Sequence, residues 1–305
     1  MTQDPTTGYP RVSLMYDGAS GGDTDTIIGL SVYVKGATAL FLNYRLGNST
    51  GMYVNGGGYT SVDRNPVNGA YVVAHYVDNE GWAPLDDMHL RVFQLNDPNN
   101  PGDDEPITVT KSFRTLLGVP CYYPHVRCLP DQNYAISVNG GYMFKLLSGS
   151  YLDYNVDAES NALGSVADSG QAKGWGYCYV KQSSGNTILR FVEDLENPGA
   201  PLHDVDTVPT GGWLGTSQLA YTPDGDPGIA YTKYTGSGIE VKLAEYDGAQ
   251  WSIETVSTTP CTPVDTADRE AVLVDLDYSI AGQPALIWNQ VNGASCKAHV
   301  ALRTE

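Results

Sequence analysis

The stretch Ser217–Val256, SQLAYTPDGDPGIAYTKYTGSGIEVKLAEYDGAQWSIETV, most constrains what this chain can fold into. Four short runs alternate apolar and polar residues. Three turn signals separate them: Asp224-Gly225-Asp226-Pro227, Thr235-Gly236-Ser237-Gly238 and Tyr246-Asp247-Gly248. Strand side chains alternate faces with period two, and Gly, Asp and Pro punctuate tight turns, so the pattern predicts a four-stranded antiparallel meander. A lone meander has two faces and cannot bury both. It needs further sheets on either side.

The chain supplies copies. Moved on by 57 residues, Tyr221, Gly225, Pro227, Ile229 and Tyr231 fall on Tyr278, Gly282, Pro284, Leu286 and Trp288 without a gap. The same shift lays Lys242-Leu243-Ala244 on His299-Val300-Ala301. Moved back by 52, Ile229, Tyr231, Lys233, Lys242 and Leu243 fall on Tyr177, Tyr179, Lys181, Arg190 and Phe191. Weaker copies precede these: His125–Val156, with four runs and three turns; residues 69–97, resembling strands two and three; and Leu30–Tyr44. The positions matching Ile229 are then 40, 73, about 136, 177, 229 and 286. Repeats of roughly 40–50 residues with four strands each are the signature of β-propeller blades. The expectation is an all-β chain, a single β-propeller domain over 1–305 with six four-stranded blades; five and seven are the alternatives. The last copy stops after its third strand, so Arg11–Tyr16 is expected to supply the missing outer strand and close the ring, removing open edges. The polar stretches Gly18–Thr26, Asn96–Glu105, Asp157–Lys173 and Leu195–Gly212 read as loops.

The segment Asp224–Trp251, with Asp-Gly-x-Pro-x-Ile-Ala-Tyr, a Lys-bearing strand and Tyr-Asp-Gly-x-x-Trp, resembles blades of bacterial propeller proteins loosely related to the sialidase-like group. The resemblance covers about the last 130 residues. It implies the propeller and no particular activity. The Asp-box of sialidases, Ser-x-Asp-x-Gly-x-x-Trp, is absent.

Charge narrows the partners. The net charge is −18, from 35 acidic and 17 basic residues. Such a chain repels phosphate backbones and anionic membranes, so nucleic acid is excluded as a partner. No apolar run reaches the ~18 residues of a membrane span. An extracellular or surface setting suits the acidity, although Met1 is followed by no signal-peptide pattern. The five cysteines contain no CxxC pair, which argues against zinc.

Propeller sites gather on the loop face and around the central channel, lined by the first strand of each blade. Candidate ligand contacts there are Tyr122, Tyr123, His125 and Arg127, then Trp82, Trp213 and Arg269. Non-recurring aromatics offer flat platforms for sugar rings, and the arginines a fork for an anionic sugar. Asp268, Glu270, Asp275 and Asp277 are weak catalytic candidates, because glycoside hydrolysis needs two carboxyl groups across the scissile bond. Against that, some acidic pair near the axis is expected by chance among 35. Asp23, Asp25, Asp103 and Asp104 carry oxygen ligands of calcium type in loops without an EF-hand pattern, so calcium is the one ion considered and no cofactor signature is present. The leading expectation is a glycan- or polysaccharide-binding propeller. A glycan-cleaving enzyme and a protein-attachment scaffold are the alternatives.

Overall fold

The computed structural model describes residues 2–3, 10–17, 26–32, 60–64, 71–77, 87–93, 108–112, 125–128, 134–138, 142–147, 150–155, 164–168, 174–197, 199–236, 238–260, 272–292 and 295–303. Among these, every regular element is a β-strand. The chain forms two compact units, Met1–Val138 with Phe144–Leu152, and Asn139–Met143 with Asp153–Glu305.

The first unit begins with β1 (Thr2–Gln3), β2 (Pro10–Asp17) and β3 (Thr26–Val32), in the order β1-β2-β3. A four-stranded sheet follows, with β4 (Thr60–Arg64), β5 (Tyr71–Val77), β6 (Asp87–Phe93) and β7 (Thr108–Ser112) in sequence order. The next holds β8 (His125–Cys128), β9 (Tyr134–Val138), β10 (Tyr142–Leu147) and β11 (Ser150–Asn155), and the unit boundary passes through β10 and β11.

The second unit contains two more four-stranded meanders. One is β12 (Gly164–Asp168), β13 (Trp175–Ser183), β14 (Asn186–Val192) and β15 (Leu202–Val208). The other is β16 (Trp213–Tyr221), β17 (Pro227–Tyr234), β18 (Gly238–Tyr246) and β19 (Trp251–Pro260). A three-stranded sheet, β20 (Val274–Tyr278), β21 (Pro284–Asn292) and β22 (Ser295–Leu302), comes last.

The meander expected over 217–256 is therefore present, with strands between the expected turns. The structure corrects three other expectations. The run Arg11–Tyr16 lies in β2, which pairs with β1 and β3 from Arg11↔Val32 to Asp17↔Thr26, and not with β22. A partner close in sequence costs far less loop-closure entropy than one at the other end of the chain. The segments 157–173 and 195–212, read as loops, hold β12 and β15. The copy over 30–44 lies almost wholly outside the described residues.

Shared register links the sheets of the second unit. Tyr179↔Arg190, Tyr231↔Lys242 and Trp288↔His299 are equivalent cross-strand pairs. A register shift recurs between third and fourth strands, at Leu90/Arg91, Leu189/Arg190 and Val241/Lys242. Such bulges add local twist to an outer strand. Turn chemistry also repeats. Thr222 N donates to Asp226 O and Gly225 N to Thr222 O, both at 2.9 Å; Ser279 N donates to Gln283 O at 2.9 Å and Gly282 N to Ser279 O at 2.8 Å. Gly225 (φ 85°) and Gly282 (φ 74°) occupy the left-handed region that such turns require and that a Cβ disfavours.

Packing follows the alternation. One face of β16–β19 contributes Leu219, Ile229, Tyr231 and Ala244 to a core shared with Cys178, Leu189 and Phe191. Its other face contributes Ala220, Ala230, Val241 and Leu243 to a core shared with Leu276, Tyr278, Leu286 and Trp288. Two close approaches join successive sheets. A Cβ at Gly176 would overlap the Tyr221 hydroxyl, and one at Gly228 would overlap the Tyr278 hydroxyl and lie 2.8 and 2.9 Å from its ring carbons. Glycine stands at both places because the neighbouring tyrosine occupies the space a side chain would need.

Candidate functional site

Within each unit the first strands of successive sheets lie side by side, and every rung described between them uses a side chain. In the first unit, Ser61 Oγ on β4 accepts from Val126 N on β8 at 3.1 Å. Two residues on, Asp63 Oδ2 accepts from Cys128 N at 2.7 Å. Residues two apart share a face of a strand, so alternate acceptors meet alternate donors. The second unit uses the same device: Leu219 N donates to Ser165 Oγ at 3.0 Å, and Thr216 Oγ1 donates to Val272 O at 2.9 Å.

The β4–β8 contact is the most chemically varied of these. Asp63 Oδ1 accepts from Arg64 N at 2.9 Å and lies 3.8 Å from Arg127 Nη1. The Arg127 side chain is 14% exposed and that of Asp63 13%. At this depth a charge pair is attractive well beyond its strength in water. His125, at the start of β8, is buried. Burial first, and then the neighbouring Arg127 charge, hold its pKa well below the usual value, so the ring is neutral at physiological pH. Burial, followed by the Asp63 charge, pushes the Cys128 thiol up, so it is a protonated thiol and no nucleophile. The set comprises an anchored carboxylate, a guanidinium, a neutral imidazole and an inert thiol. That chemistry suits directional binding of polar groups.

Other expected site residues fall elsewhere. Trp213 is only 7% exposed and stacks on Tyr234 at 5.5 Å beside Ile239 and Val272. Its faces are covered by core neighbours, which corrects its assignment as an open sugar platform. Asp275 and Asp277 lie on β20, half-buried, each with Oδ1 accepting the next residue's N–H at 2.9 Å. Trp82, Tyr122, Tyr123, Asp268, Arg269, Glu270, Asp23, Asp25, Asp103 and Asp104 lie outside the described residues. Among the described residues no group of three or more His, Cys, Asp and Glu side chains could hold a metal ion.

One further charged cluster looks functional at first sight. Lys233 Nζ meets both Asp206 oxygens, at 2.9 and 2.7 Å, and the Tyr231 hydroxyl donates to Asp206 at 2.8 Å. With Asp206 on β15 and its partners on β17, this network ties one sheet to the next. Sequence reasoning missed Asp63 and Ser61. The available signal was Ser61-Val62 recurring as Ser165-Val166 at the same strand position.

No protein-family model matches the chain, and no curated protein sequence does. Solved structures do. A Trypanosoma rangeli sialidase in complex with sialic acid is 11% identical, with a TM-score of 0.52 over 99% of this chain and 59% of its own. A Penicillium chrysogenum α-L-arabinanase is 10% identical, with a TM-score of 0.50 over 76% of each chain. A Thermus thermophilus putative oxidoreductase (glucose dehydrogenase) is 11% identical, with a TM-score of 0.51 over 97% of this chain and 100% of its own. The likeness is one of fold. The chain shares the β-propeller fold of these structures. A sialidase, an arabinanase and an oxidoreductase on one architecture also show that the fold fixes no activity. No helix among the described residues is long and apolar enough to cross a membrane.

Proposed function

We propose that this chain is a six-bladed glycan-binding propeller whose ligand meets the Asp63–Arg127–His125 end of the β4–β8 contact. The carrying observation is that pair of first strands. On them a guanidinium is paired with a carboxylate that two backbone N–H groups anchor, beside a neutral imidazole. Sugar recognition needs directional polar groups held rigid before the ligand arrives. Tyr122 and Tyr123 precede His125 by three and two residues and offer stacking faces, with Trp82 as a further loop contact. Sugar-acting neighbours, an arabinanase and a sialidase, support this reading.

The test is a glycan array with purified protein, with calcium and again with chelator, followed by calorimetry on the best ligand. Arg127→Ala is expected to weaken binding about 10–100-fold, the range for losing a hydrogen bond to a charged group. Tyr123→Ala should weaken it less, and Lys233→Ala not at all. Unchanged affinity in Arg127→Ala overturns the site. Loss of binding on chelation would assign the acidic loops a calcium ion.

A hydrolase is the second reading, favoured by Asp275 and Asp277. They stand two apart on β20 and so share one face of the strand, their Cα atoms about 6.7 Å apart, and inverting glycosidases work with a pair of carboxyl groups. Product release from polysaccharide that Asp277→Asn abolishes would establish it.

A further inference from the structure

Among the described residues, the last sheet ends at β22 with no strand beyond it, whereas the sheets begun by β8, β12 and β16 each have four. Arg303 N donates to Pro284 O at 3.3 Å, which sets the parity of the edge. In an antiparallel pair, a residue turns both its N–H and its C=O to the same neighbour, and the direction alternates. Arg303, Ala301, His299 and Lys297 therefore address β21. Ala298, Val300 and Leu302 turn their backbone groups outward. Two of these also carry exposed apolar side chains, Val300 at 64% and Leu302 at 67%. An open edge with exposed apolar residues is a template for another strand.

We infer that this edge pairs with the same edge of a second copy, antiparallel about a two-fold axis at Val300. Three observations select a second copy. Parity fits, because in this register Val300 opposes itself and Ala298 opposes Leu302, so every outward donor meets an outward acceptor. Apolar residues oppose apolar residues along the row. Charge fits as well: Arg303 is held by Glu245 and Glu254, leaving that cluster with one net negative charge, and the register sets Lys297 of the second copy opposite Arg303. The contact is a closed two-fold one, the commonest symmetry of homo-oligomers. An eight-residue edge is small, and two chains of net charge −18 repel at long range. The dimer is therefore weak, and it tightens as salt screens that repulsion.

Sedimentation velocity at rising protein concentration, in low salt and in about 0.5 M salt, tests the pairing. Dimer is expected to grow with both concentration and salt. Val300→Lys should abolish it while leaving circular dichroism and melting unchanged; Ala298→Lys is the second variant should the first melt early. Register is read separately. In this pairing the Val300 Cα atoms lie about 5.5 Å apart, within disulfide range. Val300→Cys should cross-link on mild oxidation, Leu302→Cys should not, and the wild-type chain with its five cysteines is the blank. A monomer at every concentration, a dimer that survives Val300→Lys, or cross-linking of Leu302→Cys as readily as Val300→Cys would each overturn the inference.

Discussion

The β16–β19 and β20–β22 sheets share turns and register 57 residues apart, yet their surroundings differ. Leu243 and Val300 hold the same place on the third strand. Leu243 is 1% exposed and Val300 64%. The β16–β19 sheet has a core on each face. Among the described residues the last sheet has one, through Leu276, Leu286 and Trp288. Local sequence thus writes the strand and its turns, while burial is decided by whichever element packs across from it. An apolar residue at a repeated position is not a core residue on that ground alone.

Leu243→Ala offers the sharpest test of this contrast. Denaturant unfolding should show a loss of about 2–5 kcal/mol, the usual cost of a buried Leu truncation. Next is Gly228→Ala, where the new methyl collides with the Tyr278 ring and is expected to cost about 1–3 kcal/mol. Tyr278→Phe should recover part of that loss, and a double-mutant cycle reads the coupling.

A smaller effect appears at alkaline pH. Tyr231 and Tyr278 are both held well above the ordinary tyrosine range, by burial first and then by the Asp206 and Glu245 carboxylates. Above pH 10 the unfolded chain sheds these protons while the native one keeps them. The unfolded state then binds fewer protons, so stability falls as pH rises, by up to about 1.4 kcal/mol per pH unit for each ring. Tyr231→Phe and Tyr278→Phe should each flatten that slope; equal slopes in wild type and variants would break the assignment. The smallest effect is Val300→Ala, expected within about 0.5 kcal/mol in dilute protein. A loss like that of Leu243→Ala would mean that the outer face of β22 is covered in solution.

The turns were legible because Gly225, Gly282 and Asp247 encode them by backbone conformation and side-chain capping, both local properties. Outer strands were harder to see. In β15, Leu189 pairs with Asp206 and Arg190 with Asp204, so the intervening Val205 is extra, and buried Val205 and Val208 stand three apart. Period-two reading fails at such a bulge. Val73 was matched to Ile229, but its pairing with Arg91 beside the bulge makes it the counterpart of Tyr231. A slip of two keeps the same face and leaves the hydrophobic pattern unchanged, which is why the sequence does not reveal it. Trp213 was singled out as a non-recurring aromatic, and non-recurrence says nothing of what stacks on it. Asp63 escaped notice because its partners on β8, Arg127 and Cys128, lie about 65 residues away.

The tyrosine-over-glycine contacts bear on synthesis. Tyr221 covers Gly176 and Tyr278 covers Gly228, so each sheet is capped by a residue made 45 or 50 positions later. At translation speeds of about 5–20 residues per second, a newly emerged sheet waits roughly 2–10 s for its lid. Maturation then proceeds in order along the chain with a fixed lag. A stalled nascent chain would present one sheet with its glycine uncovered and an apolar face still wet, the form in which a chaperone would meet it.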